Sequence, residues 1–192
     1  MQRPPILSGE KVYLARFRRE DIEVIAPHFS NPEFTVFLRG YGVTFSLEDE
    51  QARFESISKS RPEQVIFAIL TLEHRLIGGC DLRDIVHRTG TAELGIAIYD
   101  PSDWNQGYGT EAVTLMLRYA MFHLNLYNVL LKVFGFNPRA IRAYQKVGFK
   151  EIGRRRGAAT LGGERFDEVY MDITRGEVNL ESLNMFSSRL EE

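Results

Sequence analysis

The sequence has little of what metal and disulfide chemistry require. One cysteine, Cys80, and four histidines are spread over 192 residues. An internal disulfide is therefore excluded, no spacing of Cys, His, Asp and Glu reads as a ligand set, and no metal is expected. No Ser/His/Asp or Cys/His arrangement can be supported by spacing. His74, His87 and His123 fall in turns or on a helix and read as surface or packing residues. No stretch approaches the ~20 apolar residues of a membrane span, and no signal-peptide core opens the chain, so the expectation is a cytoplasmic protein without membrane contact. The formal net charge is only −2 with both signs mixed. That leaves no basic footprint for nucleic acid. Cys80 ends the apolar run Leu76-Ile-Gly-Gly-Cys80 and reads as a buried thiol. Internal repeats and low-complexity tracts are absent.

What is present is concentrated between Glu93 and Glu111. Leu94, Ile96 and Ile98 alternate with Glu93, Gly95, Ala97 and Tyr99, the period of a strand, and Pro101 ends it. After Gly107, apolar residues fall at helical spacing at Val113, Met116, Leu117, Ala120 and Leu124, predicting about four turns. A strand, a Gly-x-Gly and a helix start outline a phosphate site, because the first turn carries free N–H groups and the positive end of the helix dipole. Gly109 is followed by Thr110-Glu111 with no lysine, which excludes a Walker loop. No Asp or Glu lies between Glu111 and Glu151, which removes the ribose-binding acid of a dinucleotide fold.

The third phosphate-binding reading is the pyrophosphate loop of an acyl-CoA-dependent transferase. Trp104-Asn-Gln-Gly-Tyr-Gly109 resembles the Gln/Arg-x-x-Gly-x-Gly/Ala signature of the GNAT acetyltransferase superfamily, with Trp104 in the first slot. Trp104 to Ala112 is similar to the form found in its RimJ/RimL-like branch. Asn137-Pro-Arg-Ala-Ile-Arg-Ala-Tyr-Gln-Lys-Val-Gly-Phe149 resembles the superfamily's second block. Read locally, that block is a helix with Asn137 at the N-cap, Pro138 in the first turn and Gly148 at the C-terminal left-handed position.

Elsewhere, Lys11–Phe17 reads as a first strand and Ile22, Ile25, Ala26 and Phe29 as a short helix ended by Asn31-Pro32. The segment from Phe34 to Arg39 has no clear period and reads as a connecting loop or a substrate-contacting lid. Ser46 and Asp49 form an acidic capping box for a helix over 47–58. Val65–Leu72, Leu76–Ile85 and the Glu93 strand form an antiparallel set, and Val129–Phe136 lies parallel to the last of them through a βαβ crossover. Phe149–Gly153 and Glu164–Ile173 close as a hairpin, with Arg154, Arg155 and Arg156 in a solvated or charge-paired turn. The expected organisation is one domain over residues 1–175 and an amphipathic tail over 176–192 that docks on its own domain or on a second copy, leaving a homodimer open.

The resemblance covers residues ~10 to 175 and implies the α/β (α+β) GNAT fold. This is a mixed, mostly antiparallel seven-stranded sheet with a central parallel pair splayed around the cofactor, and about four helices. It implies an acetyl-CoA-dependent N-acetyltransferase acting by direct attack of a primary amine, with a protein or peptide amino terminus favoured and a polyamine, amino acid or aminoglycoside as further acceptors. Gln106, Gly107, Tyr108, Gly109 and Thr110 would hold the pyrophosphate. The strand edge at Ile96, Ala97 and Ile98 would pair with the pantetheine, and Asn137 would bond the same arm. Tyr144, two helical turns beyond Asn137, would protonate the departing thiolate. Glu93 is the candidate base for the amine, the other route being a water chain. Gly95 is read as a bulge that parts the strands. Asn137 as a cap alone, Tyr144 as packing and Glu93 as a salt-bridged carboxylate stand as rival readings. A non-catalytic acyl-CoA sensor is the alternative function.

Overall fold

The computed structural model describes residues 3–39, 46, 48, 49, 51, 52, 55 and 61–178. Among the described residues eight strands form one sheet in the order β1-β2-β3-β4-β5-β6-β8-β7. They are β1 (Leu7–Ser8), β2 (Val12–Ala15), β3 (Val65–Thr71), β4 (Leu76–Val86), β5 (Thr91–Ile98), β6 (Asn128–Phe134), β7 (Lys150–Leu161) and β8 (Glu164–Thr174). Seven were expected, and the eighth is β1, a two-residue edge strand paired to β2. All neighbouring pairs are antiparallel except β5 with β6.

Among the described residues the helices with defined bounds are α1 (Asp21–Phe29), α2 (Pro32–Arg39), α3 (Tyr108–Arg118) and α4 (Pro138–Val147), and residues 48, 49, 51, 52 and 55 are also helical. α3 continues through one π turn, Tyr119–His123. Its Ala112, Val113, Met116 and Leu117 are fully buried in one cluster with Ile69, Leu82, Leu94, Val129 and Leu131 of the sheet. This contact fixes the glycine end of α3 at the open end of β5, because a crossover helix packed on the sheet must begin where the first strand stops.

Three expectations change. Phe34 to Arg39 is helical: Asn31 accepts the Glu33 N–H through its side chain at 2.9 Å and Pro32 occupies the first turn, so the dipeptide that ends α1 also starts α2. The three arginines lie inside β7, which runs twelve residues, and Arg154 pairs with Glu151 at 2.6 Å. Gly95 is not at a bulge. It pairs in register with Asp81, and the β4–β5 irregularity falls between Arg83 and Val86. A methyl at Gly95 would collide with the Asp81 and Arg83 side chains, so the glycine makes room for that charged pair.

The Ser46–Asp49 capping box is formed, with Asp49 N–H donating to the Ser46 hydroxyl at 3.1 Å and Ser46 N–H donating to the Asp49 carboxylate at 2.9 Å. Much of the helix expected over 47–58, and the tail from 179 onward, lie outside the described residues.

Candidate active site

β5 and β6 pair only at Thr91–Asn128, Ala92–Val129 and Glu93–Leu130. Beyond that point β5 runs on to Ile98 and β6 to Phe134 without pairing, so the two arms part. The Tyr99 N–H donates to the Ile77 carbonyl at 3.0 Å, and antiparallel alternation then turns the backbone groups of Ala97 and Gly95 toward β4 and those of Leu94, Ile96 and Ile98 toward the gap. Of the three residues expected to offer this edge, Ile96 and Ile98 have their N–H groups on it and Ala97 does not. The Ile98 carbonyl accepts the Trp104 indole N–H at 2.9 Å.

The gap opens into a cavity of about 1050 Å³ lined by Glu93, Ile96, Ala97, Ile98, Gly107, Tyr108, Gly109, Thr110, Asn137 and Tyr144. Ten of the eleven residues singled out from the sequence thus meet at one place. Gln106 is the exception: it is exposed, and its carbonyl accepts from Lys11 Nζ at 3.1 Å.

The glycine loop is held from both ends. Gly107 caps α3 with φ +86, a left-handed conformation that glycine adopts without steric cost. Its position is fixed upstream by Asp103, buried and clasped by Arg75 at 2.6 and 2.7 Å. Downstream, the Glu111 carboxylate accepts the backbone N–H groups of Glu10, Lys11 and Val12 at 2.7, 2.8 and 2.8 Å. With the first turn of α3 at the cavity wall, its N–H groups form a cradle for an anion.

Across the gap stands α4. Asn137 is buried and its side-chain oxygen accepts the Ala140 N–H at 3.2 Å. With that oxygen engaged by the cap, the amide NH2 is the group left to donate to a ligand. Tyr144 lines the same wall, and burial pushes its phenol up to about 12, so it is a neutral hydrogen-bond donor throughout the physiological range.

Where the arms part, a charge cluster lies across the sheet face. Glu93 is buried and bonds Arg83 and Lys132, each at 2.6 Å, while Arg83 also meets Asp81 at 3.1 Å. Burial alone would raise the Glu93 carboxyl, but the hydrogen bonds and charges of Lys132 and Arg83 outweigh it and hold the group below the usual range. The base expected from the sequence is a doubly paired carboxylate with a weakened hold on protons. Cys80 is buried beside the cavity, and desolvation pushes its thiol far up. It is a thiol rather than a thiolate nucleophile. Among the described residues no group of three His, Cys, Asp or Glu side chains could hold a metal ion.

A family model, the acetyltransferase (GNAT) domain, matches residues 11–150. The chain belongs to the GNAT acetyltransferase family. It is 28% identical over 181 residues to the uncharacterized N-acetyltransferase p20 of Bacillus licheniformis, covering 86% of this chain and 93% of that protein. It is 29% identical over 184 residues to the uncharacterized N-acetyltransferase YoaA of Bacillus subtilis, covering 89% and 97%. Its fold matches spermidine N-acetyltransferase from Vibrio cholerae in complex with CoA and spermine, with a TM-score of 0.78 at 22% identity, covering 86% and 96%. A GNAT acetyltransferase from Bacillus anthracis matches with a TM-score of 0.75 at 21% identity, covering 89% and 99%. The protein is thus an acetyl-CoA-dependent N-acetyltransferase with the GNAT fold.

Sequence reasoning missed several residues of this candidate site. Arg83 and Lys132 reach Glu93 from β4 and β6, a register that alternation alone does not give. Lys11 and Glu111 tie the loop to the first hairpin across about a hundred residues. Arg139 lies with its guanidinium carbon 3.5 Å from the centroid of the Trp104 ring.

Proposed function

We propose that this enzyme acetylates the α-amine of a peptide or protein amino terminus, as the RimJ/RimL-like form of its glycine loop suggests, by direct attack on the thioester. The observation that carries the reading is the parting of β5 from β6 beyond Glu93, which puts the glycine loop, the Ile96 and Ile98 N–H groups, Asn137 and Tyr144 around one cavity. In the transfer a C–N bond forms as the C–S bond breaks. The amine nitrogen gives up a proton and the sulfur gains one.

The residues divide this work. Loop N–H groups from Gly107 to Thr110 hold the pyrophosphate. Gln106, which stands outside the cavity, acts on the loop through its carbonyl bond to Lys11. The cleft-facing Ile96 N–H and the Asn137 NH2 pair with the pantetheine arm, and the cleft-facing Ile98 N–H polarises the carbonyl. Ala97 offers only its methyl. Tyr144 donates to the developing thiolate. The lowered Glu93 pKa favours loss of the amine proton to water in the open cavity, with Glu93 fixing Arg83 and Lys132 beside that route. The high pKa of Cys80 supports direct attack over an acyl-cysteine.

The spermine-binding neighbour makes a polyamine the competing acceptor. Among the described residues four carboxylates line the cavity, Asp81, Glu93, Asp103 and Glu168. The first three pair with arginine or lysine and Glu168 accepts the Tyr170 hydroxyl at 2.8 Å. A polycation would have to displace these partners, whereas a single amine flanked by apolar groups would not. The test is thiol release from acetyl-CoA with peptides, lysine peptides, polyamines, amino acids and aminoglycosides. Stimulation by peptide amino termini is expected, and stimulation by spermidine alone would overturn the acceptor assignment.

A further inference from the structure

The notable side chain outside the assignments above is Arg139, in the first turn of α4. It is half-buried at the cavity wall. Its guanidinium lies over Trp104 at 3.5 Å and is 5.5 Å from the Phe37 ring centroid. Trp104 is itself held, by its indole bond to the Ile98 carbonyl and by edge-to-face contact with Phe37 at 5.6 Å. Among the described residues no carboxylate is paired with Arg139, in contrast to Arg83, which lines the same cavity and is paired with Glu93. Burial without such a partner pulls its pKa down.

A guanidinium stacked on an aromatic face keeps its N–H edge free, and that edge is a planar fork suited to two oxygens of one anion. The aromatic contact orients the cation but does not neutralise it. Keeping a charged group partly out of water without a counter-ion is costly. The missing partner is therefore an anion brought by a ligand.

We infer that Arg139, aimed by Trp104, is an oxyanion-binding residue of the cleft. The inference rests on the proposed acetyl-CoA site. Two ligands could bring the oxyanion: a phosphate of the cosubstrate, since Trp104 stands three residues before Gly107, or a carboxylate of the acceptor, since Phe37 comes from α2. The first slot of the glycine signature holds an aromatic residue here, and the cation on this chain comes from α4 across the gap.

The experiment is calorimetric titration of the wild type, Arg139→Gln and Arg139→Lys with CoA and with S-acetyl-pantetheine, which lacks the phosphates. Acceptor kinetics then compare a substrate bearing a carboxylate with its amide. For a phosphate contact, Arg139→Gln weakens CoA about tenfold or more and leaves S-acetyl-pantetheine unchanged, and Arg139→Lys recovers part of the loss. For an acceptor contact, CoA affinity is unchanged and KM rises about tenfold for the carboxylate substrate but not for its amide. Either result supports the inference and names the source. Equal weakening of CoA and S-acetyl-pantetheine, or no change in any arm, overturns it. Failure of wild-type protein to bind CoA would instead overturn the cosubstrate site itself.

Discussion

At the scale of single residues, the site is defined by two side chains whose protonation is fixed by opposite means. Desolvation keeps Tyr144 protonated up to about 12, and Arg83 and Lys132 keep Glu93 ionised. Removing the phenol oxygen by Tyr144→Phe is expected to lower kcat by about 10²-fold, in the range for a lost proton donor. Because the phenol does not titrate below about pH 10, the factor measured at about pH 7 should recur at about pH 9. A loss that disappears at the higher pH would remove Tyr144 from the acid role. Glu93→Gln is expected to cost about 1 kcal/mol of stability, after discounting for solvent reaching the two cations, and to change kcat by less than about tenfold. Urea titration and steady-state kinetics check the pair, and a fall of 10² or more in kcat with no loss of stability would make Glu93 the base.

At the scale of elements, the strength of a sequence signal depended on whether it was local. Asn137, Pro138 and Gly148 announce α4 through cap chemistry that acts within one turn, and Gly148 has φ +111 as such a cap needs. The same Asn-Pro chemistry begins α2 at Asn31, but a signal that both ends and starts a helix is ambiguous until φ and ψ are known. β5 was legible from its alternation. Its parting from β6 was expected from the resemblance and not from residues, since unpaired edges leave no mark on side-chain period. The Asp81–Arg83–Glu93–Lys132 cluster was not legible for a related reason: alternation gives the face a side chain occupies, not its partner on the next strand. The bond from α3 to the first hairpin was equally hidden. Glu111→Ala leaves three N–H groups without their acceptor, and a loss of about 2 kcal/mol is expected for bonds to a charged group, together with a KM for acetyl-CoA that rises more than kcat falls. Thermal denaturation and kinetics with the same preparation test it, and an unchanged KM would mean that the loop does not depend on this bond.

At the scale of the whole molecule, the carboxylates set the response to acid. Glu93 is held low by Lys132 and Arg83, Glu151 by Arg154, and Glu177 is drawn down to about 2 by Lys150 and Thr174. For each, the folded pKa lies below the unfolded one, so the unfolded chain takes up protons first as pH falls. Their contribution is present above the ordinary carboxylate range and is lost as pH drops through the folded values. The urea midpoint at about pH 3 is therefore expected to lie below that at about pH 7, with Glu93 contributing most because the exposed Glu151 and Glu177 pairs are screened by solvent. Equal midpoints would show that these pairs are not maintained in solution. The link between Glu111 and the Glu10–Val12 turn spans 99 to 101 positions of chain, and this has a meaning for biosynthesis. The turn emerges from the ribosome long before the carboxylate that organises it, and its N–H groups must stay hydrated until the strands between them have been made and paired. The glycine loop is thus tied to the first hairpin only after Glu111 has been made, and a peptide inserted just ahead of Gly9 would sit beside the start of α3 although it is remote from it in sequence.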